Sequence, residues 1–136
     1  MIITQSLRMD LCRCGVLGQV SAVQGEANTR VIVLALYSNG APWEVPEGST
    51  AVVGFQKPDG KKGLYDTLPN GTPAVRISGS TVEATLPPQA LTASGRVSVT
   101  VNFYDTEGDS LATFPFTVVV EPNPAFDAEA SEDYFN

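Results

Sequence analysis

Residue types that do chemistry are scarce in this chain, and their spacing decides how each is read. Histidine is absent altogether. That removes the usual general base, the Ser-His-Asp and Cys-His nucleophile systems and most catalytic zinc sites. Cys12 and Cys14 form a C-x-C. On a strand they point to one face, and alternate residues seldom meet disulfide geometry. A metal would want two more soft ligands, which the sequence lacks, so the pair reads as buried or half-buried thiols of a reducing compartment. Asp59 and Asp66 suggest a hydrolytic pair, yet both sit in turn contexts where Asp is favoured for backbone reasons. Asp105-x-Glu107-Gly108-Asp109 offers oxygen ligands at alternate positions. Its glycine comes too early for an EF-hand loop and no bidentate Glu follows, so it reads as a solvated acidic hairpin. No P-loop, G-x-G-x-x-G or H-E-x-x-H occurs. The expectation is a protein that is not an enzyme, with no cofactor and no metal.

Aromatic residues suggest contact rather than catalysis. Trp43 follows Asn39-Gly40 and Pro42, and Tyr65 lies between the turns Pro58-Asp59-Gly60 and Pro69-Asn70-Gly71. Exposed Trp and Tyr in such loops suit sugar stacking or protein contacts, whereas a lone Trp beside a turn commonly seals the end of a sandwich. Phe126, Tyr134 and Phe135 occupy an acidic tail that can bury little by itself. These five residues are the candidate partner contacts. Asn28 and Arg30 flank Thr29 and read as a turn, with the Arg covering a sheet edge.

The elements that position these residues follow from period-two alternation. Val97, Val99, Val101 and Phe103 alternate with Ser98, Thr100, Asn102 and Tyr104, a half-buried strand. Ala112, Phe114, Phe116, Val118 and Val120 form the apolar face of its hairpin partner, joined through 105–109. Pro115 lacks an N–H, so that strand is expected at an edge or bulged there. Val31 to Tyr37 reads as a central strand, with further strands over 50–57, 74–77 and 81–86. Ile2 to Leu11 and Val16 to Val23 are expected to pair with each other around Gly15. Pro87-Pro88 cannot continue a ladder and reads as a crossover between sheets, with Leu91 plugging the core. The predicted fold is all-β: an immunoglobulin-like antiparallel β-sandwich of eight or nine short strands, a closed barrel being the alternative. The sandwich is expected over 1–123. Asn123, Pro124 and the four-residue spacing of Phe126, Ala130 and Tyr134 predict a short helix or extended acidic tail over 124–136.

Composition narrows the partners. The chain has 136 residues, enough for one core without disulfide or metal. Its net charge is −7, and no Lys or Arg follows Arg96, while eight acidic residues do. Nucleic acid is therefore not an expected partner, because non-specific affinity for phosphates comes from Lys and Arg. No run approaches membrane-spanning length, and the N-terminus lacks the apolar core of a signal peptide. Synthesis in a bacterial cytoplasm without membrane insertion is expected. Without a secretory route, Asn70-Gly71-Thr72 reads as a turn rather than a glycosylation site.

Several segments together resemble the N-terminal domain of the baseplate upper protein of tailed phages and prophages of Gram-positive bacteria. They are Gln24-Gly25-Glu26-Ala27-Asn28-Thr29-Arg30, Asn39-Gly40-x-Pro42-Trp43, Lys57-Pro58-Asp59-Gly60, 64–71 (LYDTLPNG) and Pro88-Gln89-x-Leu91-Thr92, with Phe114 and Glu121-x-Asn123-Pro124 completing the set. The resemblance covers about residues 2–124. It implies a β-sandwich with a structural role in the virion, fixed to other baseplate and tail proteins and self-associating. In the family, a following region carries the receptor-binding proteins. That role is not carried over to this chain. A carbohydrate-binding or adhesion module using Trp43 and Tyr65 is the competing reading.

Overall fold

The computed structural model describes residues 3–12, 18–25, 30–68 and 71–125. Ten strands are found among them: β1 Ile3–Asp10, β2 Gly18–Val23, β3 Arg30–Ser38, β4 Ala41–Pro42, β5 Thr50–Gln56, β6 Lys62–Tyr65, β7 Val75–Ser78, β8 Thr81–Thr85, β9 Gly95–Tyr104 and β10 Ser110–Glu121. One sheet runs β1-β3-β8-β7, with β4 added to the end of β3. The other runs β2-β10-β9-β5-β6. The two pack face to face as an all-β sandwich.

Alternation places the core. Val97, Val99, Val101 and Phe103 of β9 are buried, as are Ala112, Phe114, Phe116, Val118 and Val120 of β10. Facing them, β3 contributes Ile32, Leu34 and Leu36, and β8 contributes Val82 and Ala84. The β9–β10 hairpin pairs Val101 with Phe114, and its bulge falls between Ser110 and Ala112. Pro115 is not at that bulge. β2 covers β10 only from Phe116 onward, so among the described residues Pro115 has β9 on one side alone, where a missing donor costs nothing.

Three expectations are corrected. The sandwich is not purely antiparallel: β1 runs parallel to β3, and β2 runs parallel to β10. β1 and β2 are therefore not a hairpin pair but the facing edges of opposite sheets, with Gln5 Nε2 3.4 Å from Ser21 Oγ. Each buries the apolar face that its alternation prescribes, and in this arrangement each also covers an edge of a longer strand. Cys12 is exposed rather than buried, since β1 ends at Asp10 and Cys12 lies in the turn beyond. Cys14 lies outside the described residues.

Pro87-Pro88 does mark the crossover. A 3-10 turn over Pro88–Leu91 carries the chain from β8 in one sheet to β9 in the other, and Leu91 is fully buried beneath it. No helix among the described residues is long and apolar enough to cross a membrane.

Candidate functional site

β3 runs away from one end of the sandwich while β5 and β10 run towards it, so this end collects the starts and finishes of distant segments. Gln24, at the close of β2, is the hub. Its backbone N–H donates to Glu121 O at 2.9 Å, and its Nε2 donates to Thr92 O at 2.9 Å. Asn123 returns two bonds, from its N–H to Gln24 Oε1 and from Nδ2 to Gln24 O, each at 3.2 Å. Gly25 donates to Leu91 O at 3.0 Å.

The β5–β6 turn joins the same cluster. Lys57 Nζ donates to Thr92 Oγ1 at 2.9 Å and lies 3.9 Å from Asp59 Oδ2. Thr92 Oγ1 in turn donates to Gln89 O. Asp59 Oδ1 accepts the Lys61 N–H at 3.0 Å, the side-chain turn expected of it. Gly95 adopts φ +120°, and Pro58 Cγ lies 3.0 Å from where a Cβ would stand, so this close approach needs glycine.

Four of the segments that carry the family resemblance thus converge on one pole. They lie on the sequence as unconnected pieces, and spacing alone does not bring Gln24, Lys57, Thr92 and Asn123 together. The one signal is that each is polar and closes or opens an apolar run. Asn123 also shapes the chain's departure, its Oδ1 accepting the Ala125 N–H at 3.0 Å.

The opposite pole holds Trp43. Its half-buried ring lies 6.2 Å from the Phe103 centroid and 5.8 Å from that of Phe114, closing the core as a seal. Asp10 organises the turn beside it, its carboxylate accepting the N–H groups of Cys12, Asn39 and Gly40 at 2.8–2.9 Å. Asp105 does the same for the β9–β10 loop, accepting from Glu107 and Asp109.

Tyr65 is turned inward on β6. Its hydroxyl donates to Thr85 O of the facing sheet at 3.0 Å, its ring lies 6.0 Å from that of Phe55, and burial pushes its phenol far above the ordinary range. Asp59 and Asp66 flank opposite ends of β6, and Asp66 Oδ1 accepts the Thr67 hydroxyl. They are not brought together as a dyad. Phe126, Tyr134 and Phe135 lie outside the described residues. Among the described residues no cluster of three or more His, Cys, Asp or Glu side chains is placed to hold a metal.

Charge divides between the poles. Lys57, Lys61 and Lys62 lie at the chain-exit end together with Asp59 and Glu121, while Asp10, Glu44, Glu47, Asp105, Glu107 and Asp109 surround the other.

No protein-family model and no curated protein matches the sequence. Among solved structures, the chain is similar to the N-terminal domain of phage TP901-1 ORF48, with a TM-score of 0.63 at 17% identity. The alignment covers 87% of this chain and 98% of that domain. At this identity the likeness establishes a shared fold.

Proposed function

We propose that this protein is a structural component of a phage or prophage tail baseplate that docks to other baseplate subunits and supports the host-recognition apparatus. The observation that carries the reading is the coincidence of two likenesses, one of fold and one of sequence. The fold aligns with nearly the whole of a phage protein's N-terminal domain. Four of the segments that carry the sequence resemblance gather at the pole from which the chain departs.

In this reading the sandwich, 1–123, is the docking body, and 124–136 leads away from it as an acidic exit segment. The role is non-enzymatic, the location is the virion, and self-association belongs to the assembly. Phe126, Tyr134 and Phe135 supply partner contacts. Trp43 and Tyr65 contribute by shaping the faces that partners meet, because their rings already serve the sandwich interior.

Mass spectrometry of purified tail particles from a strain carrying the gene tests the proposal. The chain is expected at a fixed ratio to other tail proteins, and particles from a deletion strain should lack baseplate density in electron micrographs. Intact baseplates from the deletion strain would overturn it. A glycan array provides the second arm: saccharide binding abolished by Trp43→Ala and Tyr65→Ala would favour the adhesion reading.

A further inference from the structure

Strand β6 is the feature that the docking proposal leaves unexplained. It pairs with β5 along one side and has no strand partner on the other among the described residues. Lys57 donates its N–H to Lys61 O at 2.9 Å, which fixes the phase of the β5–β6 pairing. Lys61, Gly63 and Tyr65 turn their backbone groups to β5, so Lys62 and Leu64 turn theirs outward. Asp66 is next in the outward phase, and there the chain covers itself, Asp66 O accepting the Ala74 N–H at 2.9 Å. The open edge is therefore the stretch from Lys62 to Leu64, whose outward N–H and C=O groups have no partner among the described residues.

The side chains on this edge alternate in the same phase. Lys62, Leu64 and Asp66 are exposed on the outer face, while Gly63 and Tyr65 lie on the inner one. Leu64 is 77% exposed, the most exposed large apolar side chain among the described residues. A Cβ at Gly63 would meet the Phe55 ring, so the inner face at the middle of the edge carries no side chain. An edge lysine blunts indiscriminate pairing, and Lys62 serves that purpose. The order Lys62, Leu64, Asp66 also makes the edge complementary to itself: basic, apolar, acidic in one direction is acidic, apolar, basic in the other.

We propose that this edge is a homodimer interface, in which β6 of a second copy pairs antiparallel with it about a two-fold axis at Gly63. Lys62 then stands opposite Leu64 of the second copy, and the reverse, so all the open N–H and C=O groups are satisfied by reciprocal bonds. Gly63 meets its own mate at the axis, where the strands approach most closely and neither copy has a side chain to clash. On the outer face the two Leu64 side chains lie diagonal to each other, and each Lys62 is diagonal to Asp66 of the second copy. The two Lys62 side chains share the other diagonal, and each is long enough to swing to the carboxylate instead. Centring the pair on Lys62 would set like charges directly opposite, and centring it on Leu64 would need the Asp66 carbonyl that Ala74 already occupies. Such a contact is far smaller than a standard interface, so the dimer forms only at high protein concentration. It gives a surface to the self-association in the reading above, uses no residue of 126–136, and does not depend on a baseplate location.

Sedimentation and amide hydrogen exchange on the full chain, over a range of protein concentrations, test it. The average mass should rise with concentration. The amides of Lys62 and Leu64 should gain about fivefold protection, while those of Gly63 and Tyr65, already bonded to β5, stay unchanged. Lys62→Glu and Asp66→Lys should each weaken association by about fivefold, because each sets like charges on the diagonal. Mixing the two single variants should restore it, since each is then complementary to the other, an outcome that damage to either fold would not produce. Leu64→Lys should weaken association and leave the fold intact. Mass and exchange that do not vary with concentration would overturn the proposal. Association that none of these variants weakens would overturn it too, because the interface would then lie elsewhere. Either failure leaves the baseplate reading standing, and intact baseplates from a deletion strain would leave the dimer standing.

Discussion

Tyr65 ties the edge of one sheet to the other through a single buried hydroxyl, and that bond has two measurable consequences. Removing it in Tyr65→Phe should cost about 1 kcal/mol in urea denaturation near neutral pH. The phenol stays neutral in the folded protein but ionises in the unfolded chain near the ordinary value of 10.0. Its contribution is therefore fully present below that pH and lost above it, as only the unfolded chain gives up the proton. Stability should fall on the alkaline side, and Tyr65→Phe should flatten part of that fall. The neighbouring Gly63 faces the Phe55 ring, whose Cε1 lies 2.7 Å from the position of an added Cβ. Gly63→Ala should destabilise by about 1–3 kcal/mol, because Phe55 is held against Tyr65 and cannot yield freely. None of this was legible from the sequence. A turn-bracketed Leu-Tyr marks a strand, but which of the two turns inward depends on the register with β5.

At the scale of elements, period-two alternation identified the β9–β10 hairpin and the buried face of each strand, since side-chain direction follows directly from position along a strand. Partner choice was a different matter. β1 and β2 each have one apolar face, and that face is satisfied equally by a hairpin or by two opposed edges. The parallel pairings with β3 and β10 follow from long-range closure of the sandwich. The exit lock is equally non-local. Its residues stand 99 positions apart in the case of Gln24 and Asn123. Gln24→Ala should remove two side-chain bonds and cost about 1–2 kcal/mol. Faster amide exchange at Asn123 and Ala125, with β9 unaffected, would show that the lock secures the exit rather than the core.

For the whole molecule, the relevant property is the separation of charge between poles. Net charge alone, −7, argues only against polyanions and for solubility. Its distribution places three lysines beside Asp59 and Glu121 where the chain leaves and six carboxylates at the far end. Light scattering on the full chain and on one ending at Ala125 should show weaker self-association in the shorter form, if the aromatic tail supplies the contact. An identical mass for both would remove the tail from that role. Asp59, Asp66 and Asp105 each accept a hydrogen bond within their own turn, and Trp43 and Tyr65 are packed against the sandwich interior.

The amino-acid sequence by itself determined the fold class, the crossover at Pro87-Pro88 and the inward-facing residues, because these rest on local geometry: proline's missing donor and the two-residue repeat of a strand. Tertiary structure alone decided that β1 and β2 belong to opposite sheets. It also decided that scattered polar residues meet at one pole and that Leu64 is left exposed beside lysines. Those outcomes depend on contacts between distant segments, and pairing energies along a strand are too similar for the chain to announce its partner in advance.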